Sequence, residues 1–203
     1  MKLLKRITAF TLVELLVVIS IIAILASLAL PAITGALVKS QMSQALSNAR
    51  QIHTAQINLT GDAASTGDSN MGWPGDLSNS VTTMQNYADL LIKYDYLKAQ
   101  DVAKVFTCAG MNAISGTTNT VTINKQNCAF SIFKIKDDDA GVSVFINTQN
   151  YETFGTAPLP DAKPFGDKGF VLLHKAGDGA VYKNAQATNT NILGINTNTA
   201  LTF

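Results

Sequence analysis

Residues 10–38 read FTLVELLVVISIIAILASLALPAITGALV, an apolar run with a single carboxylate, Glu14, close to its start. From Leu15 to Val38 no side chain is charged, and the run exceeds the ~20 residues that a helix needs to cross the hydrocarbon of a bilayer. Lys2, Lys5 and Arg6 precede it, and the next basic residue is Lys39. The positive-inside rule then leaves the start of the chain in the cytoplasm and places the bulk outside it. A secretory signal peptide has a shorter apolar region, ~7–15 residues. Ser27-Leu28-Ala29 imitates its cleavage site, but amphipathic helix continues directly beyond. A plain membrane anchor leaves Glu14 unexplained, because carboxylates are costly in hydrocarbon and are retained where another charge meets them.

The basic leader, the small residue Ala9 and the segment Phe10-Thr11-Leu12-Val13-Glu14 together resemble the cleavage and methylation signal of type IV pilins and pseudopilins. The resemblance covers about the first sixty residues closely and the rest in outline. It implies that a prepilin peptidase cuts between Ala9 and Phe10 and methylates the new amine. It also implies that Glu14 sits beside the N-terminal amine of a neighbouring subunit during assembly. The family commonly has Gly before the cut; Ala9 is the next smallest side chain, so slower cleavage is expected. The domains expected are a leader over 1–9, a long helix over 10–59 with its membrane or filament-core segment at 10–38, and a head over 60–203.

Past the apolar run, Val38, Met42, Ala45, Ala49, Ile52, Ala55 and Leu59 recur at alternating spacings of four and three, widened by Leu46, while Gln44, Asn48, Arg50 and Gln51 fall mostly on the other side. The second half of the helix thus has one face to pack against a head. Pro31 removes a backbone donor and crowds the preceding turn, which predicts a kink or local break between Ser27 and Pro31. In the family, a proline at the matching place marks a segment that can lose helix inside filaments.

Gly61 to Gly75 reads as a polar connection without period, with Trp73-Pro74 as its anchor on the head. Leu77 through Ala103 carries Met84, Tyr87, Leu90, Leu91, Tyr94 and Leu97 at helical spacing, capped by Ser80 or Thr82. Thereafter β-branched and aromatic runs alternate with Gly, Asn and Asp: Val105–Cys108, Thr120–Ile123, Ala129–Ile135, Val142–Ile146, then a hairpin of Phe170–His174 and Ala180–Lys183 around Asp178-Gly179. The Thr/Asn-rich tail, with Ile192, Leu193 and Ile195, forms an edge strand or stays loose. Helix first and antiparallel strands later make an α+β fold, a long N-terminal helix packed on a C-terminal sheet, as in pilin-like proteins.

The chain has 203 residues, 47% apolar and 14% charged, with a formal net charge of +1, enough for one membrane-anchored globular domain. Removal of Lys2, Lys5 and Arg6 leaves a slightly acidic remainder, which weighs against nucleic acid as a partner. Cys108 and Cys128 are the only cysteines. Two in an exported domain are expected to form one bridge; two small buried thiols are the alternative.

No motif for an enzyme is present: there is no G-x-S-x-G, H-E-x-x-H or phosphate loop. His53 and His174 lack a further ligand at metal spacing and read as structural. Asp137-Asp138-Asp139 with Gly141 imitates the start of a calcium loop, but Gly is not sixth and Thr148 stands where the bidentate Glu belongs. No metal or other cofactor is therefore expected from the residues. Secretion pseudopilins can hold calcium through C-terminal loop oxygens, and by that resemblance Asp161, Asp167 and Asp178 are the candidates.

The resemblance thus implies a structural subunit, not an enzyme. It would reside in the bacterial inner membrane as a precursor and partner identical subunits, the prepilin peptidase and the inner-membrane assembly machinery. It ends in an extracellular type IV pilus or pilus-like fibre serving adhesion or motility, or, as the alternative, in the periplasm as the major pseudopilin of a type II secretion system. A membrane-anchored periplasmic enzyme or binding protein is the remaining class. The mature chain is expected to begin at N-methylated Phe10, which intact-mass measurement checks; a start at Met1 or Leu30 would contradict the processing account.

Overall fold

The computed structural model describes residues 10–117, 119–152, 154–194 and 198–203. Its first element, α1, spans Leu12–Thr66. The chain divides into two compact units, one ending at Lys39 and one covering Ser40–Phe203. In the first, the large apolar side chains from Phe10 to Leu37 are exposed. The expected break before Pro31 is absent: α1 continues through Ser27–Pro31. A proline deletes one helical donor, while apolar helix formers on both sides keep the remaining ladder, and an apolar surround offers the backbone no other partner.

In the second unit, α1 buries Met42, Ala45, Ala49, Ile52, Ala55 and Leu59, the stripe read from the sequence, whereas Leu46 is half-buried; Val38, the first member of that stripe, lies in the first unit and is half-buried too. The helix also runs past Leu59, through what the sequence suggested was connection. Ser65 and Thr66 hydroxyls donate to the Asp62 carbonyl, and Gly67, at φ +71°, ends the helix with its N–H on Ala63 O. A left-handed residue just past the last turn is the common helix stop, and glycine reaches it without Cβ strain.

The single second helix expected over 77–103 is two. Helix α2 is Met84–Lys93, and its cap is Thr83: the Thr83 hydroxyl accepts from Asn86 N–H while the Asn86 side chain accepts from Thr83 N–H. Ser80 and Thr82 do not cap it. Asp95, at φ +59°, turns the chain into α3, Ala99–Val105. Val105 therefore closes a helix, and the strand expected over Val105–Cys108 does not form.

A small ribbon pairs β1 (Ser115–Gly116) with β2 (Val121–Thr122). The main sheet has the order β3-β4-β5-β6, built from Phe130–Ile132, Val144–Thr148, Phe170–His174 and Gly179–Tyr182, with every neighbour antiparallel. The turn between β5 and β6 lies one step earlier than expected. Gly177 takes φ +89°, and Gly179 is already in β6 opposite Leu173. A Cβ on Gly177 would also come within 2.9 Å of the His53 ring, so both conformation and space call for glycine there.

All positions of β4 and β5 are buried, which explains continuous apolar runs in place of alternation. The second half of α1 reaches the sheet through Met42 at Gly169, through Arg50, whose guanidinium donates to Gly179 O, and through His53, edge-on to Phe145 at 6.0 Å. Trp73 is the expected anchor: it is buried and edge-on to Phe145 at 5.3 Å. After β6 come a 3₁₀ turn, Asn184–Gln186, and α4, Thr190–Leu193. Tyr151 stacks on Phe170 at 4.0 Å and donates to Ala187 O, fixing that segment. The tail adds single bridges, Phe133 to Ala200 and Thr83 to Thr202; Ile195 lies outside the described residues. The helix-then-sheet order is the α+β architecture expected, consistent with a pilin-like fold.

Two polar residues on α1 are buried, and one of them, Asn48, departs from the sequence reading. Asn48 donates to Lys104 O and Thr107 O, carbonyls at the end of α3 that the helix itself leaves without donors. Gln56, fully buried, accepts from the Tyr87 hydroxyl at 3.0 Å and donates to Gly72 O at 2.9 Å, tying α1 to α2 and to the connecting loop. Replacing Gln56 by Leu strands a buried hydroxyl and a carbonyl, and is expected to cost about 3 kcal/mol. Urea unfolding of the full chain in micelles, followed by the fluorescence of Trp73, measures this; an unchanged midpoint would contradict it.

Candidate functional site

Helix α1 starts with a reciprocal cap. The Thr11 hydroxyl lies 3.2 Å from Glu14 N–H as acceptor, and one Glu14 oxygen, Oε2, accepts from Thr11 N–H at 2.9 Å and from the Thr11 hydroxyl at 2.8 Å. The pattern Thr-x-x-Glu is a capping box, and a carboxylate in the first turn also complements the positive end of the helix dipole. Glu14 therefore has a local role as well as the one implied by the resemblance. Among the described residues both of these bonds fall on Oε2, leaving Oε1 for a further donor.

Downstream, the polar side chains of the apolar segment satisfy themselves. Ser20 donates to Leu16 O, Ser27 to Ile24 O and Thr34 to Pro31 O, at 2.7, 2.8 and 3.0 Å. Hydroxyls folded back onto their own helix carry no unmet donor into an apolar surround. Among the described residues, one helix is long and apolar enough to span a membrane, and none of its most apolar window is buried. Phe10, 71% exposed, stands immediately before the cap; Ala9, on the other side of the expected cut, lies outside the described residues.

Cys108 and Cys128 are free thiols, where a bridge was expected. Each sulfur instead donates locally, Cys108 to Ala109 O and Cys128 to Phe130 O. Burial pushes both thiols up to about 12, and the Cys108 thiolate would raise Cys128 further, so the two lie within electrostatic reach. Ala129 N–H on Phe106 O holds their segments side by side.

Both histidines are engaged in hydrogen bonds within the head. His53 bonds Lys175 O at 2.8 Å, and His174 lies between the Asp178 carboxylate at 2.7 Å and Leu193 O at 3.0 Å. In the acidic run, Lys136 N–H and Asn198 donate to Asp139, while the Lys175 ammonium donates to the Asp137 and Asp139 carbonyls, filling the loop with a side-chain cation. Asp178 is engaged by His174 and Asp167 by Lys168, and Asp161 lines a separate cleft. Among the described residues no three His, Cys, Asp or Glu side chains form a metal-binding group.

Residues 4–30 match the family model described as the prokaryotic N-terminal methylation motif. The chain thus carries the prepilin signal of type IV pilins and pseudopilins, which points to a structural, pilin-like precursor anchored by its apolar helix. The signal implies processing by a prepilin peptidase and assembly into a pilus-like filament. No curated protein and no solved structure matches the chain. What sequence reasoning missed at this site is Thr11: the capping box is legible in Thr11-Leu12-Val13-Glu14, but the carboxylate was read as a membrane charge and a docking partner, not as a cap.

Proposed function

We propose that the mature chain, starting at Phe10, is the structural subunit of an extracellular type IV pilus or pilus-like fibre. The observation that carries this is the uncovered apolar half of α1 with Glu14 at its head. Lipid solvates that surface in the precursor; parallel copies of the same helix replace lipid in the filament. The methylated Phe10 amine of one subunit meets Glu14 of its neighbour, and the attraction strengthens as water is excluded. The pair forms only in register, so it sets docking depth. Pro31 marks the place where such a helix can yield during packing. The pseudopilin reading shares every step to assembly and differs in a periplasmic destination. This role calls for no cofactor and no nucleic acid.

Two expectations follow. Glu14→Gln preserves the capping box, since Gln serves at that position, but removes the charge; Thr11→Val does the reverse. At equal membrane levels of subunit, Glu14→Gln should nearly abolish sheared filaments, and Thr11→Val should reduce them far less. Filaments from Glu14→Gln at the parent's yield would overturn the docking role. In the oxidising location proposed, Cys108 and Cys128 are expected to be joined, closing a loop worth about 3 kcal/mol in the chain-entropy account. Alkylation in denaturant without reductant then leaves both unlabelled; two labelled cysteines in exported protein would refute the bridge.

A further inference from the structure

Cys108 and Cys128 differ in what can reach them. Cys108 is half-buried and lines an open cleft of about 380 Å³, whose walls include Gln44 and Gln51 of α1 and Asp101 and Lys104 of α3. Cys128 is 0% exposed. A reagent in solvent therefore meets one sulfur and not the other.

The backbone fixes this difference. Two main-chain bonds bracket the cysteines, Ala129 N–H on Phe106 O at 2.7 Å and Asn112 N–H on Gln126 O at 3.1 Å, and hold the segments that carry them against each other. Asn48 ties the Cys108 segment to α1 by donating to Lys104 O and Thr107 O, and the Thr107 hydroxyl donates to Asn112 O. Cys108, directly after the clamped Thr107, is thereby kept on the cleft wall, while the Cys128 thiol donates to Phe130 O in the interior.

Thiol–disulfide exchange needs a thiolate that an incoming disulfide can touch. Of the two cysteines, Cys108 alone meets the second condition in the folded head. Burial pushes its thiol up to about 12, so the thiolate is scarce at neutral pH and exchange is slow unless the leaving thiol is acidic. We propose that Cys108 is the exchange site through which an external disulfide oxidises the head, with Cys128 as the sulfur that completes the bridge. In the first step the Cys108 thiolate attacks the disulfide: its Sγ bonds one sulfur, and the other leaves as a thiolate. In the second, Cys128 loses its proton and attacks Cys108 Sγ, the mixed disulfide breaks, and the second thiolate leaves. The two cysteines lose two electrons and two protons in all, and the incoming disulfide becomes two thiols. The second step rests on the bridge proposed above; the first does not.

The test adds 4,4′-dithiodipyridine, a small uncharged disulfide with an acidic and coloured leaving thiol, to the reduced full chain in micelles. Cys128→Ser should take up one pyridylthio group on Cys108, at a rate that rises about ten-fold per pH unit between about pH 7 and 9 as the thiolate fraction grows. Cys108→Ser should react at least about a hundred-fold more slowly, because Cys128 must wait for the head to open. In the reduced parent, a limiting amount of N-ethylmaleimide should fall on Cys108, as peptide mapping reads; this measurement needs no variant to fold. Equal rates in the two variants, or alkylation of the parent first at Cys128, would overturn the proposal. A parent that keeps a pyridylthio group on Cys108 and releases one thiopyridone instead of two would refute the bridge and leave the exchange site standing.

Discussion

The structure depends on one constraint: an apolar helical surface that the chain itself leaves exposed. Phe10, Leu12, Leu28 and Ile33 are more than half exposed, as are most of the large side chains between them. Water is not a stable neighbour for a contiguous patch of this kind. The available neighbours are lipid and other copies of the same helix, and both require that every polar group on the segment find its partner within it. Ser20, Ser27 and Thr34 do so through their own carbonyls. Thr11 and Glu14 do so at the helix start, where the first backbone donors have no intrahelical partner.

Glu14 is thereby given two employments that one substitution to Leu would confuse. As a cap it stabilises the first turn of its own helix. As a charge it is, in the proposed assembly, the group on that surface that recognises a cation from another subunit. In the proposed assembly that cation is the amine that processing within the motif over residues 4–30 would expose at Phe10. The cap holds the carboxylate at the helix end, where the proposed docking contact needs it.

How much was legible follows the range of the interactions. The apolar run, the charge asymmetry around it and the buried stripe from Met42 to Leu59 are local patterns, and the fold keeps them. The strands β4 and β5 were legible as apolar runs bounded by Gly and Asp. Asn48 was misread as solvent-facing because its partners, Lys104 and Thr107, lie far along the chain, and the buried Gln56 drew no reading because Tyr87 and Gly72 reach it only through the fold. The division of α2 from α3 rests on the positive φ of Asp95, and apolar spacing continuing through Tyr94 and Leu97 hid it. At the candidate site, the apolar run from Phe10 and the acid at Glu14 were visible from pattern and resemblance, while the break expected before Pro31 did not appear. The cap that Thr11 makes with Glu14 was missed there, because the carboxylate was weighed for its charge alone.

The central claim is that Glu14 recognises the processed amine of a neighbouring subunit. Electron cryomicroscopy of filaments sheared from cells, with the subunit identified by mass spectrometry, tests it most directly. The account predicts helices packed in parallel, with a Glu14 oxygen within about 4 Å of the Phe10 nitrogen of an adjacent copy, the range over which such a pair attracts appreciably. A filament in which Glu14 contacts only its own Thr11, with the neighbouring amine placed elsewhere, would contradict it.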